Sequence, residues 1–171
     1  MVRGLNRLCL ALYGFPRPTV AAVNGHAVAG GMILLLGCDH RIAAEGKARF
    51  GLTEGQVGVA FPMGALEIAR EELGLAASRW MLGAGTVDGP AALADGALDE
   101  IVPAEEVLPR ALERARKLAT HPSEAYGAIK TQLRGPALDR IRHAAEKGDP
   151  VEGGWLGPDL AGRVAALLGK G

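Results

Sequence analysis

Large aromatic rings are scarce in this sequence, 4% of 171 residues, so the interior has to close on aliphatic and small side chains. Cysteine is scarcer still. Cys9 and Cys38 form no CxxC pair and stand near no histidine-rich cluster, which gives no basis for a zinc site or a disulfide scaffold. They read as buried free thiols in a reducing compartment. Net charge is absent: 19 Lys plus Arg balance 19 Asp plus Glu, leaving no overall field to recruit nucleic acid or an anionic membrane. The start, Met1-Val2-Arg3-Gly4-Leu5, lacks the charged-then-apolar pattern of a secretory signal. The longest apolar run, Met32 to Gly37, falls far short of the roughly 20 residues a spanning helix needs. These absences lead us to expect a soluble, cytoplasmic chain with no metal, no nucleic-acid partner and no membrane partner.

What is present is a globular composition, 49% hydrophobic and 22% charged, with 25 glycines, in a length that fits one domain. Charge is segregated along the chain. Asp88 to Glu106 holds six acids and no base, and Arg110 to Lys147 holds nine bases and four acids. The basic stretch reads either as a solvated helical face or as a surface for anionic groups such as ligand phosphates.

The apolar spacing of Leu5, Leu8, Cys9 and Leu12 predicts a helix ending near Tyr13-Gly14. Thr19 to Val23 reads as a short buried strand, stopped by the turn dipeptide Asn24-Gly25. Small residues Ala27 to Gly31 precede Met32 to Leu36, which the double glycine before it marks as a buried helix. His40 to Ala44, Ala48 to Phe50 and Leu98 to Val102 read as strands. Helices are expected over about 63–73, 75–84, 88–95, 107–119, 122–133, 136–147 and 158–168, with Pro109 delaying the start of the fourth. Strands alternating with helices, then helices alone, indicate an α/β layer with a helical extension.

One arrangement in that layer carries chemistry. A strand, an Asn-Gly turn, small residues and then a helix opening on Gly30-Gly31 leave backbone N–H groups free at the positive end of a helix. Glycine lets a ligand approach those groups closely. The result favours an anion or a developing oxyanion. The same glycines also read as simple tight packing.

The run Pro18 to Gly31, continued by Cys38-Asp39-His40-Arg41-Ile42-Ala43, resembles the signature of the crotonase family, the enoyl-CoA hydratases and isomerases. Ala48-Arg49-Phe50-Gly51 with Glu54 and Gly58 is similar to a second family segment, and Ala91 to Val102 to a third. The resemblance implies an α/β crotonase-like ββα spiral, partial over residues 1–103 with its first turns missing. A C-terminal helical trimerisation region would follow over 104–171. It implies an acyl-CoA substrate, with coenzyme A entering only as part of that substrate and no other cofactor. It also implies a homo-oligomer, a trimer or hexamer. In such proteins two backbone N–H groups hold the thioester oxygen. The second of these falls on Gly30, and the first lies in a segment found nowhere in this sequence and expected before it.

The family's hydratases use two glutamates, and the first of these positions is held here by Ile33. An isoleucine neither accepts a proton nor orients water. The second position holds Glu54, and one carboxylate beside an oxyanion site suffices to shift a 3-enoyl-CoA to a 2-enoyl-CoA. Ala29-Gly30-Gly31 with Gly51-Leu52-Thr53-Glu54 is similar to the corresponding isomerase segments. The resemblance therefore implies Glu54 and Gly30 as catalytic groups, with His26, Ala27, Ala29, Gly31, Ile33, Phe61 and Met63 around the substrate. Two alternatives stay open: a non-catalytic acyl-CoA-binding or assembly protein, and a hydratase with an impaired site. Asp39 and Arg41 read as structural. His40, His121 and His143 have no partner at a useful spacing, and Trp80 and Met81 read as core or pocket wall.

Overall fold

A computed structural model describes residues 1–153, 157 and 159–168. Helix α1, Val2–Tyr13, leads into strand β1, Val20–Val23, and then β2, Ala27–Val28. Helix α2, Gly30–Leu36, follows, and β3, His40–Ala44, and β4, Phe50–Gly51, begin the next turn. A 3-10 turn at Glu54–Val57 precedes α3, Met63–Leu73, and α4, Ala77–Gly83. Strand β5, Thr86–Val87, α5, Gly89–Ala94, and β6, Glu100–Val102, complete the strand-bearing part. The chain continues as α6, Val107–Leu118, α7, Ser123–Lys147, and α8, Leu160–Leu168.

The strands fall into two three-stranded sheets, β1-β3-β6 and β2-β4-β5. From β1 to β4 successive strands alternate between the sheets, so each of these turns lays one strand on each wall; β5 then returns antiparallel to β4 in the same sheet before α5 leads to β6. Strand β3 runs parallel to β1 and to β6, and β4 runs parallel to β2. That is a spiral of ββα turns, as the resemblance implied. Strand β1 is paired on one side only among the described residues.

Strands β2 and β5 were not legible as strands because each is two residues long and exists by pairing with β4. Gly51 shows the tightness of that pairing: a Cβ built on it would lie 2.3 Å from the carbonyl oxygen of Gly85. Helix α1 is rotated from its leucine pattern. Val2, Asn6, Cys9 and Tyr13 form its buried face, and Leu8 is exposed. Asn6 is buried with both of its polar side-chain atoms bonded. Its Nδ2 donates to Asp149, and its Oδ1 accepts from the Gly64 N–H. Asp149 also accepts from the Met63 N–H at 2.7 Å, so two side chains distant in sequence cap α3, whose N-cap Pro62 has no side-chain donor or acceptor.

The core gathers Met32, Ile33 and Leu36 of α2 with Phe50, Ile68 and Ile141, all almost fully buried. Burying such a side chain contributes about 1.5–3 kcal/mol each. Where two helices were expected over 122–147, a single α7 runs through Gly135-Pro136. Pro136 and Gln132 are exposed, so water can satisfy the Gln132 carbonyl that the missing N–H leaves unpaired. Helix α6 starts at Val107, and Pro109 falls in its first turn, where an N–H has no intrahelical acceptor in any case. Helix α6 packs on β1 and β3, and α7 on α1 and α3, which ties residues beyond 104 to the spiral.

Asp39 is the hub of that tie. It accepts from the Thr19 N–H at 2.8 Å, from Tyr126 at 3.0 Å, from Lys130 at 2.8 Å and from Arg134 at 2.9 Å. Arg41 does not pair with Asp39; it binds Asp99 and Glu72. His40 is buried and its Nε2 lies 3.0 Å from Glu100, a partner its sequence neighbours did not reveal. Arg110 binds Glu100 and Arg140 binds Glu67, so much of the segregated charge is paired within the chain. No helix among the described residues is long and apolar enough to cross a membrane.

Candidate active site

Strands β2 and β4 run side by side in register, Ala27 opposite Phe50 and Val28 opposite Gly51. The Ala27 N–H donates to Arg49 O and the Ala29 N–H to Gly51 O, both at 2.9 Å. Because the strands are parallel, the residues that follow them leave the sheet at the same end. Gly30 follows one strand and Glu54 the other. The C-terminal edge of parallel strands is where ligands commonly sit in α/β proteins.

Ala29 makes the turn into α2 at φ 49°, ψ −126°, a conformation suited to glycine and strained for alanine. With its own N–H held by Gly51, that turn directs the next amides away from the strand. Gly30 and Gly31 are the first two residues of α2, and their N–H groups have no acceptor among the described residues. A Cβ built on either would meet nothing within 4 Å. Tight packing therefore does not account for these glycines; the space before them is open.

Glu54 opens its 3-10 turn and is half-buried. Its Oε2 is buried and has no hydrogen-bond partner among the described residues. Burial pushes its pKa above the ordinary glutamate value, opposed in part by a backbone hydrogen bond within the same residue. A half-buried carboxylate with one oxygen unpartnered and its pKa raised is suited to accepting and returning a proton.

The other expected residues divide. His26 is exposed, and its Nδ1 accepts from the Arg49 N–H at 2.9 Å, which orients the ring. Ala27 is buried beside it. Phe61 packs against the core from a half-buried position, and Met63 is half-buried with its N–H on Asp149. Ile33 is 1% exposed and lies within the core. Trp80 is buried and donates from Nε1 to Asp95. Among the described residues no group of three His, Cys, Asp or Glu side chains is placed to hold a metal ion.

A family model described as enoyl-CoA hydratase/isomerase matches residues 2–148. Mitochondrial enoyl-CoA delta isomerase 1 of Rattus norvegicus is 31% identical over 141 residues, covering 81% of this chain and 49% of the relative. The 2,3-dehydroadipyl-CoA hydratase of Escherichia coli K12 is 34% identical over 129 residues, covering 75% and 50%. Among solved structures, an apo enoyl-CoA isomerase of Mycobacterium tuberculosis superposes with TM-score 0.80 at 37% identity, covering 85% of this chain and 65% of that one. The chain spans about half the length of the curated relatives it matches.

Proposed function

This chain belongs to the enoyl-CoA hydratase/isomerase family, and from that premise we propose that it acts on acyl-CoA thioesters as an isomerase, converting a 3-enoyl-CoA to a 2-enoyl-CoA. The observation that carries this reading is a single one: a buried, unpartnered Glu54 oxygen at the same sheet edge as the free Gly30 amide, with a core isoleucine where hydratases hold their other carboxylate.

In the proposed reaction Glu54 takes a proton from C2 of the substrate. The C2–H electron pair moves toward the carbonyl, whose oxygen becomes the anion of a dienolate. The Gly30 N–H, at the positive end of α2, donates to that oxygen. Loss of such a donor generally lowers the rate by about 10²–10³-fold. The electrons then return, a C2=C3 double bond forms in place of C3=C4, and protonated Glu54 delivers its proton to C4. Atoms balance without water, and the carboxylate ends as it began. Hydration would need a second group to hold water, and Ile33 supplies none.

The test is turnover of a 3-enoyl-CoA by the chain and by Glu54→Gln. Conjugated 2-enoyl-CoA formed by the first and reduced by about 10²–10⁴-fold in the second supports the assignment. Ligand binding or subunit assembly without turnover, and equal in both, supports a non-catalytic protein instead.

A further inference from the structure

Nothing bonds to the Glu54 Oε2, so the direction of this carboxylate depends on the turn that carries it. That turn is held from two sides. On one side the Gln56 Nε2 donates to the Ala84 carbonyl at the end of α4. On the other, the Arg163 Nη1 of α8 donates to the Val57 carbonyl at 3.3 Å. The guanidinium is itself steadied by Asp159 one turn earlier, Nε to Oδ2 at 3.4 Å.

Gly58 is shaped for this contact twice over. It closes the turn in the left-handed region, φ +68°, and a Cβ built on it would lie 2.0 Å from the Arg163 Nη1. Any side chain at 58 would strain the backbone and push the guanidinium off Val57. Arg163 is 44% exposed, so the tie is open to water and released at little cost.

We infer that Arg163 is a positioning residue for Glu54: by holding the Val57 carbonyl it fixes the turn that keeps the carboxylate half-buried and aimed. This rests on the reading of Glu54 as the proton carrier.

The experiment uses the full chain and its Arg163→Ala, Arg163→Lys and Gly58→Ala variants. Two quantities are read: hydrogen exchange at the amides of residues 55–59, and the pH dependence of 3-enoyl-CoA turnover. Arg163→Ala and Gly58→Ala are expected to speed exchange there about 5-fold, the loss of roughly one hydrogen bond. The value of kcat falls about 10-fold with KM nearly unchanged, because misplacing a reacting group by about 1 Å costs up to about 10²-fold. Water reaching Glu54 lowers its pKa, so the acid limb of the pH profile moves to lower pH. Arg163→Lys recovers part of each effect. Unchanged exchange in Arg163→Ala, or an acid limb that stays in place, overturns the inference. If the unmodified chain shows no Glu54-dependent turnover, the functional reading fails by itself. The clamp then stands or falls on the exchange rates and on whether Arg163→Ala lowers the Glu54 titration measured by NMR.

Discussion

Glu54→Gln should make this protein more stable at neutral pH while removing its chemistry. The substitution keeps the shape of the side chain and deletes a charge whose Oε2 is buried without a partner. An unsatisfied buried polar group costs about 1–3 kcal/mol, and more when charged; Gln leaves a neutral polar group in place and removes only the excess that the charge adds. Glu54 keeps part of its surface in contact with water, which places the expected gain near the low end, about 1 kcal/mol. For a chain of this size that is a rise of about 2–4 °C in Tm. The pH dependence fixes the sign. Burial raises the folded-state pKa above the ordinary 4.5, so the folded protein holds this proton more tightly than the unfolded chain does. The wild type is therefore unpenalised below 4.5 and loses stability relative to Glu54→Gln as pH rises from 4.5 through the folded-state value. Urea unfolding of both proteins across that window measures the difference directly. A Glu54→Gln variant less stable than wild type at neutral pH, or a gap that does not close in acid, would refute the claim that burial of the unpartnered Oε2 disfavours the charged carboxylate.

Other outcomes follow from single contacts. Ala29→Gly removes strain worth about 1–3 kcal/mol and adds unfolded-state entropy of about 0.5–1 kcal/mol, so denaturant unfolding should show a net gain of about 1 kcal/mol. Gly51→Ala drives a methyl group into the Gly85 carbonyl and should cost about 1–3 kcal/mol in the same measurement. Asp39→Ala leaves the buried Lys130 without a carboxylate and Arg134 with Glu72 alone, and calorimetry should report a loss of about 3 kcal/mol. Ile33→Glu buries a charge inside the core and should destabilise the fold by several kcal/mol in urea instead of restoring a hydratase pair.

Much of the site could be read from sequence because it is local. The Asn24-Gly25 turn, the glycines at 30 and 31 and the apolar run behind them each state a backbone requirement within a few residues. The His40–Ala44 strand and the α3 helix followed from periodicity with their observed boundaries. What sequence did not carry is what depends on distant partners. Asp39 gives no sign that it will meet Tyr126, Lys130 and Arg134, and Asn6 gives none that it will meet Asp149 and Gly64. Strands of two residues have no pattern of their own. Ile33 was readable as the absence of a carboxylate, but its burial in the core comes from how α2 sits on its neighbours. Arg163 carries no local signal at all, although Gly58, the residue that makes room for it, was already visible as part of the second family segment.

The most direct measurement is the partition of products when one chain is offered 3-enoyl-CoA and 2-enoyl-CoA in separate reactions. With one carboxylate and one free amide, the first substrate should yield conjugated 2-enoyl-CoA and the second should remain without added water. Rapid formation of 3-hydroxyacyl-CoA from the second, with the first untouched, would contradict it.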